Sequence, residues 1–155
     1  MSRIYKTGKT KVAIGKASED VVTLATFEAD TTYVEFDGIT NIGGFGDTAS
    51  LITSDHVNSG RTKKAVGTRN AGSMTLACDR QPNDPGQLAG IAAADTDDRY
   101  NIRVTIPVGK GKFEVDYLTC YVLSRNKDFG GSNDAQKITF NLELDEAPIS
   151  KPAAV

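Results

Sequence analysis

Apolar and polar residues alternate along several stretches of the chain, and the alternation predicts strands. From Gln136 to Asp145, Ile138, Phe140, Leu142 and Leu144 fall on one parity and Lys137, Thr139, Asn141 and Glu143 on the other. That is the pattern of a strand with one face buried and one in water. Tyr100, Ile102, Val104 and Ile106 alternate in the same way with Asn101, Arg103 and Thr105, and Gly72 to Asp79 sets Met74, Leu76 and Cys78 against Ser73, Thr75 and Ala77. The longest strand predicted is Lys112 to Ser124. Its odd positions, Phe113, Val115, Tyr117, Tyr121 and Leu123, are apolar and expected inside, whereas its even positions pass from Lys112, Glu114 and Asp116 to Leu118, Cys120 and Val122. Half of its second face is therefore apolar too, and either a helix or another subunit must cover it.

One helix is well marked, over about residues 84–94. Asp84 suits the N-cap, Pro85 the first helical position, and Gln87, three residues after the cap, completes a capping-box pattern. Leu88, Ile91 and Ala92 form a narrow stripe expected to rest on a sheet. Val21 to Phe27 fits either a short strand or a turn of helix. Thr32 to Phe36 and Ile39 to Ile42, joined by Asp37-Gly38, predict a β-hairpin.

The remaining segments lack periodicity. Residues 1–20 read as a flexible arm in which only Val12 to Ile14 is strand-like, and residues 146–155, with Pro148 and Pro152, as an extended, loosely held tail. Asn126 to Asp134 is turn-rich. Residues 47–70 are polar apart from Leu51, Ile52 and Val66, and predict either a long loop or a loose hairpin. A structureless stretch of that length inside a compact domain is uncommon, which points to function or to ordering by a partner.

A length of 155 residues and 39% hydrophobic content fit one domain, 1–155, with a single core. The net charge of −2 argues against a protein that works by gripping phosphates. No apolar run approaches a membrane span, and MSRIYKTGKTK lacks the apolar segment of a signal peptide, so neither a membrane anchor nor export is expected. Cys78 and Cys120, each on an apolar strand face, read as buried free thiols.

No catalytic or metal-binding pattern stands out. His56, the single histidine, sits in the polar 47–70 stretch where nothing would hold a general base rigid, and one histidine with two distant cysteines matches no zinc spacing. Asp95, Asp97 and Asp98 lack the glycine and terminal glutamate of a calcium loop. Gly8-Lys9-Thr10 repeats only the end of a phosphate-binding loop, because Arg3 stands where its first glycine belongs. No enzyme activity and no cofactor are expected.

The order of features nevertheless resembles a known family. Val34-Glu35-Phe36, then Gly38-Ile39-Thr40-Asn41-Ile42-Gly43-Gly44-Phe45, a long polar stretch, Asn70-Ala71-Gly72-Ser73-Met74-Thr75-Leu76, a helix opening Asp84-Pro85-Gly86-Gln87-Leu88, and a strand ending Ile106-Pro107 together resemble the major tail tube proteins of long-tailed, non-contractile bacteriophages. The likeness covers roughly residues 32–145. It implies a mainly β fold, a β-sandwich or rolled barrel flanked by one short helix. It further implies a virion protein, assembled in the host cytoplasm, whose six-membered rings stack into the tube through which the genome is ejected. Tape measure, tail terminator and tail tip proteins would be its partners, and DNA would pass without tight binding.

On this reading the subunit interface is expected to involve Phe45, Leu51, Ile52, His56, Val66, Leu118, Cys120 and Val122. Two other readings stand beside it. A tube protein of a bacterial contractile secretion apparatus shares the architecture, and a small ligand-binding β-domain would instead show a pocket of convergent polar groups.

Overall fold

In the computed structural model, residues 2–153 are described. The elements run β1 (Lys11–Ala17), α1 (Leu24–Ala29), β2 (Val34–Glu35), β3 (Ile39–Ile42), β4 (Thr48–His56), β5 (Arg61–Asn70), β6 (Ser73–Asp79), α2 (Pro85–Ala94), β7 (Arg99–Pro107), β8 (Phe113–Asp128), β9 (Lys137–Leu144) and β10 (Ile149–Lys151). One antiparallel sheet carries most of them, in the order β2-β1-β7-β8-β9-β6-β3. The strand β8 is long enough to serve two partners on one edge: β9 pairs along Cys120 to Asp128, and β10 pairs along Val115 to Tyr117.

The two ends of this sheet, β2 and β3, are joined by only Phe36, Asp37 and Gly38, so the sheet is rolled. Its inner face is one core, in which Val12 and Ile14, Ile102 and Val104, Leu118, Cys120 and Val122, Ile138, Phe140 and Leu142, and Met74, Leu76 and Cys78 pack together. Each strand contributes every second residue, as the pleat requires. The arm expected over residues 1–20 is thus interrupted by β1, whose Val12 and Ile14 are core residues.

The hairpin expected across Asp37-Gly38 does not form. The glycine does take a left-handed conformation (φ 72°), but β2 pairs with β1 and β3 with β6, so the turn joins opposite ends of the sheet. The tail is also tied down, by β10 and by a 2.8 Å contact from Lys151 Nζ to Glu28.

The long strand β8 reverses the expected facing. Leu118, Cys120 and Val122 point into the core, and Phe113 and Leu123 are exposed. The odd positions are apolar for a different reason: α1 covers part of the outer face, where Phe27 stacks on Tyr117 at 5.2 Å. Thr23 starts this helix, accepting from the Thr26 amide while its own amide donates to the Thr26 hydroxyl at 2.8 Å. Polar contacts complete the outer layer. Asp30 accepts from the Thr32 hydroxyl, the amides of Thr32 and Lys16, and the Asn101 side chain, and Asn101 in turn accepts from Ser18.

The helix α2 forms where expected but buries a different face. Gly86, Gln87, Gly90 and Ala93 are buried, while Leu88 is half exposed. Small residues allow close approach: a Cβ on Gly90 would lie 2.9 Å from the Phe140 ring and 3.0 Å from the Phe36 ring. The cap is only half of a box. Asp84 accepts from the Gln87 amide, but the Gln87 side chain turns inward to other partners.

Candidate assembly interface

The 47–70 stretch is a two-stranded hairpin, β4–β5, and not a loop. Register runs from Thr48 opposite Asn70 to His56 opposite Arg61, with a shift where Ser50 faces both Gly67 and Thr68, which adds one residue to β5. Gly60 (φ 60°) and the Ser59 hydroxyl close the turn, and the Thr62 hydroxyl donates to Asp55 at 2.6 Å. At the base, Arg69 meets Asp47 at 3.5 Å. The hairpin belongs to no larger sheet, and every residue from Ser50 to Val66 is exposed.

Cross-strand pairing places side chains on faces. Leu51 lies opposite Val66 on one face, and Ile52 opposite Ala65 on the other. Leu51 is 64% exposed, Ile52 55% and Val66 67%, and Val57 at the turn is 99% exposed. An isolated two-stranded hairpin is marginal in water, and apolar residues bare on both of its faces mark an interaction site.

Of the residues expected at an interface, the hairpin brings together Leu51, Ile52, His56 and Val66. Phe45 lies elsewhere, partly buried against the core and lining a cavity of about 250 Å³ with Tyr5, Val104 and Ile106. Leu118, Cys120 and Val122 must be withdrawn, because they are buried within the chain itself, under 5% exposed. Burial pushes the thiols of Cys78 and Cys120 up to about 12, which keeps both as neutral core groups. Sequence reasoning missed Val57 and the cations Arg61, Lys63 and Lys64; the signal for the cations was the density of basic residues between 61 and 69.

Among the described residues no group of three or more His, Cys, Asp or Glu is placed to hold a metal ion. No described helix is long and apolar enough to cross a membrane.

No family model and no curated protein matches the sequence. Solved structures do match the fold. A chain of the anti-feeding prophage baseplate, determined by cryo-EM with six-fold symmetrisation, superposes with a TM-score of 0.73 at 12% identity, covering 100% of both chains. The SPP1 tail tube, from solid-state NMR and cryo-EM, gives 0.62 at 14% identity over 91% of this chain and 75% of that one. The protein has the tail-tube fold. A chain from the sheath–tube complex of the extracellular contractile injection system PVC shares it, with a TM-score of 0.68 at 13% identity over 97% and 93% of the two chains. The mainly β roll with a flanking helix is thus what the chain forms, and α1 adds a second helix to the expected tail-tube fold. Identities this low show shared architecture and not shared surface chemistry, so the interface has to be argued from this chain's own residues.

Proposed function

We propose that this protein is a structural virion subunit whose rings, six copies each, stack into the tail tube of a long-tailed, non-contractile phage. One observation carries the reading. A tail-tube fold here extends a hairpin with apolar side chains bare on both faces, Leu51 and Val66 on one and Ile52 on the other. A single neighbour would cover one face; a tube, in which each subunit has neighbours around the ring and along the axis, covers both. Contacts that close by rotation give rings, and axial contacts that do not close give a filament.

The conduit role follows from charge. A chain of net charge −2 favours passage of DNA without tight binding. His56 sits exposed at the end of β4, beside the hairpin turn, and the role proposed for it is a structural one at the subunit contact. Tape measure, terminator and tip proteins would meet the tube along its lumen and at its two ends, in a virion tail assembled in the host cytoplasm. A tube protein of a contractile injection apparatus is the second reading, supported by the match in fold to the chain from the PVC contractile injection system, which covers 97% and 93% of the two chains.

Negative-stain electron microscopy of concentrated protein, beside size-exclusion chromatography of a dilute sample, tests this directly. Hollow tubes with a regular axial repeat are expected. A protein that stays monomeric at every concentration rejects the proposal. Affinity capture from a producing cell separates the two readings, since a sheath protein accompanies the tube only in a contractile apparatus.

A further inference from the structure

The hairpin and one groove of the roll lie at opposite ends of the same strand. Asn70 ends β5 and Ser73 begins β6, while on the other side Ile42 ends β3 and Gly43 donates to the Thr75 carbonyl at 2.7 Å, so both hairpin strands leave from the Ser73 end. At the Asp79 end of β6, Asp79 pairs with Lys137, which also pairs with Asp128. There a groove of about 550 Å³ is lined by Asp79, Asp128, Phe129, Asp134 and Lys137 among others. Seven residues of β6 separate the two ends by about 20 Å, and the hairpin stands a further ~30 Å from the roll at the usual rise per residue.

The two surfaces are complementary. The hairpin tip carries Arg61, Lys63 and Lys64 against one carboxylate, Asp55, already bonded to Thr62. The groove carries three carboxylates against one lysine. Among the described residues, Arg61, Lys63, Lys64, Asp79 and Asp128 form no salt bridge within the chain. Apolar groups match as well: Val57 is 99% exposed at the turn, and Phe129 is 51% exposed on the groove.

We propose that the hairpin tip of one copy docks into the Phe129 groove of a second copy stacked on it in the same orientation. This rests on the tube reading and names the axial acceptor site. Tip and groove are different patches at opposite ends of one molecule, so the contact is head-to-tail and repeats without closing. Val57 seats against Phe129, while the cations of the tip face Asp79, Asp128 and Asp134 and steer the encounter. Such steering weakens as salt screens it.

The test is a cross-link with a charge reversal beside it. A Val57→Cys/Phe129→Cys protein, assembled and mildly oxidised, should give a ladder of covalent head-to-tail multimers on a denaturing gel, which neither single variant gives. The native Cys78 and Cys120 are buried and stay out of the reaction. Asp128→Lys should raise the concentration needed for assembly about tenfold, the effect of losing roughly 1.4 kcal/mol of contact, and adding Lys64→Glu should restore it. Circular dichroism of each variant confirms that it folds. Tubes that form without the 57–129 link, or at the wild-type concentration with Asp128→Lys, overturn the groove and leave the tube reading standing. Absence of any self-association of the wild-type chain rejects both.

Discussion

The side-chain amide of Gln87 donates to the backbone carbonyl of Asp37 at 2.8 Å, fastening the first turn of α2 to the turn that joins the two ends of the sheet. The same nitrogen donates to the Asp79 carbonyl at 2.9 Å, and Gln87 Oε1 accepts from the Gln81 amide at 2.9 Å. Asp84 reinforces the joint, accepting from the amides of both Asp37 and Gln87 at 3.0 Å. Gln87 is 2% exposed, so nothing replaces these bonds when it is removed. Gln87→Ala should cost about 2–4 kcal/mol, since each buried backbone group left unpaired costs roughly 1–3 kcal/mol. Urea unfolding measures it. A loss below ~0.5 kcal/mol, the range of an ordinary surface change, would show that the clamp contributes nothing.

Gly86 offers a case where propensity and packing oppose each other. Alanine is the better helix former by about 1 kcal/mol, but a Cβ at this position would fall on the Glu35 carbonyl and 2.7 Å from the Phe36 nitrogen. Both neighbours are backbone and cannot swing aside. Gly86→Ala should therefore destabilise by about 1–3 kcal/mol, the usual range for overpacking. A thermal melt reads the sign, and a raised midpoint would mean that α2 does not sit this close to β2.

Asp30 should make stability depend on acid. Burial works to raise its pKa, but the hydrogen bonds from Thr32, Lys16 and Asn101 outweigh it and hold the carboxyl below its ordinary 3.8. A depressed folded pKa means that the unfolded chain takes up the proton first as pH falls. The stabilisation is accordingly complete at neutral pH and is lost as pH drops from about 4 through the folded value. Asp30→Asn should be less stable than wild type at pH 7, with the gap closing below pH 4. Denaturant curves at pH 7, 4 and 3 follow it, and a constant gap would sink the assignment.

Two leucines of the same type should fail in opposite ways. Leu51 is 64% exposed on the hairpin and Leu118 is fully buried on β8. Leu51→Asp should leave the monomer's unfolding within about 0.5 kcal/mol of wild type, as surface changes do, while abolishing assembly in size-exclusion and microscopy. Leu118→Asp should prevent folding altogether, because an unpaired carboxylate would sit in the core. An assembly-competent Leu51→Asp would remove the hairpin from the interface.

What could be read from residue order alone tracks how many faces each element buries. The strands β7 and β9 have one dry face and one wet or polar face, and their alternation was legible. The strand β8 has apolar residues on both parities because α1 covers Tyr117 outside while Leu118 and Cys120 fill the core, so parity could not choose between them. The strands β4 and β5 bury no face within the chain, and strands without a core side show no hydrophobic period. In α2, proximity to the sheet selected Gly86 and Gly90, which a search for large apolar residues passes over. The turn at Asp37-Gly38 has only its glycine at positive φ, whereas a type I′ hairpin needs both central residues there, and partners far along the chain, in β1 and β6, took its strands instead.

The strand order also sets a timetable for folding. The pairs β7–β8 and β8–β9 join neighbours in the chain, whereas β1 meets β7 with Lys11 opposite Thr105, and β6 meets β9 with Met74 opposite Leu142. Loops of that length must close before their contacts contribute anything, which slows folding to the millisecond-to-second range typical of non-local β proteins. The β7–β8–β9 meander, whose pairs join chain neighbours, is expected to form first, with β6 and β1 joining its two sides afterwards and the Gln87 bonds forming as the roll shuts. Until β1 and β6 have joined, the edges of β7 and β9 stand open to pairing with other chains, so the subunit is exposed to misassembly before it is ready for assembly.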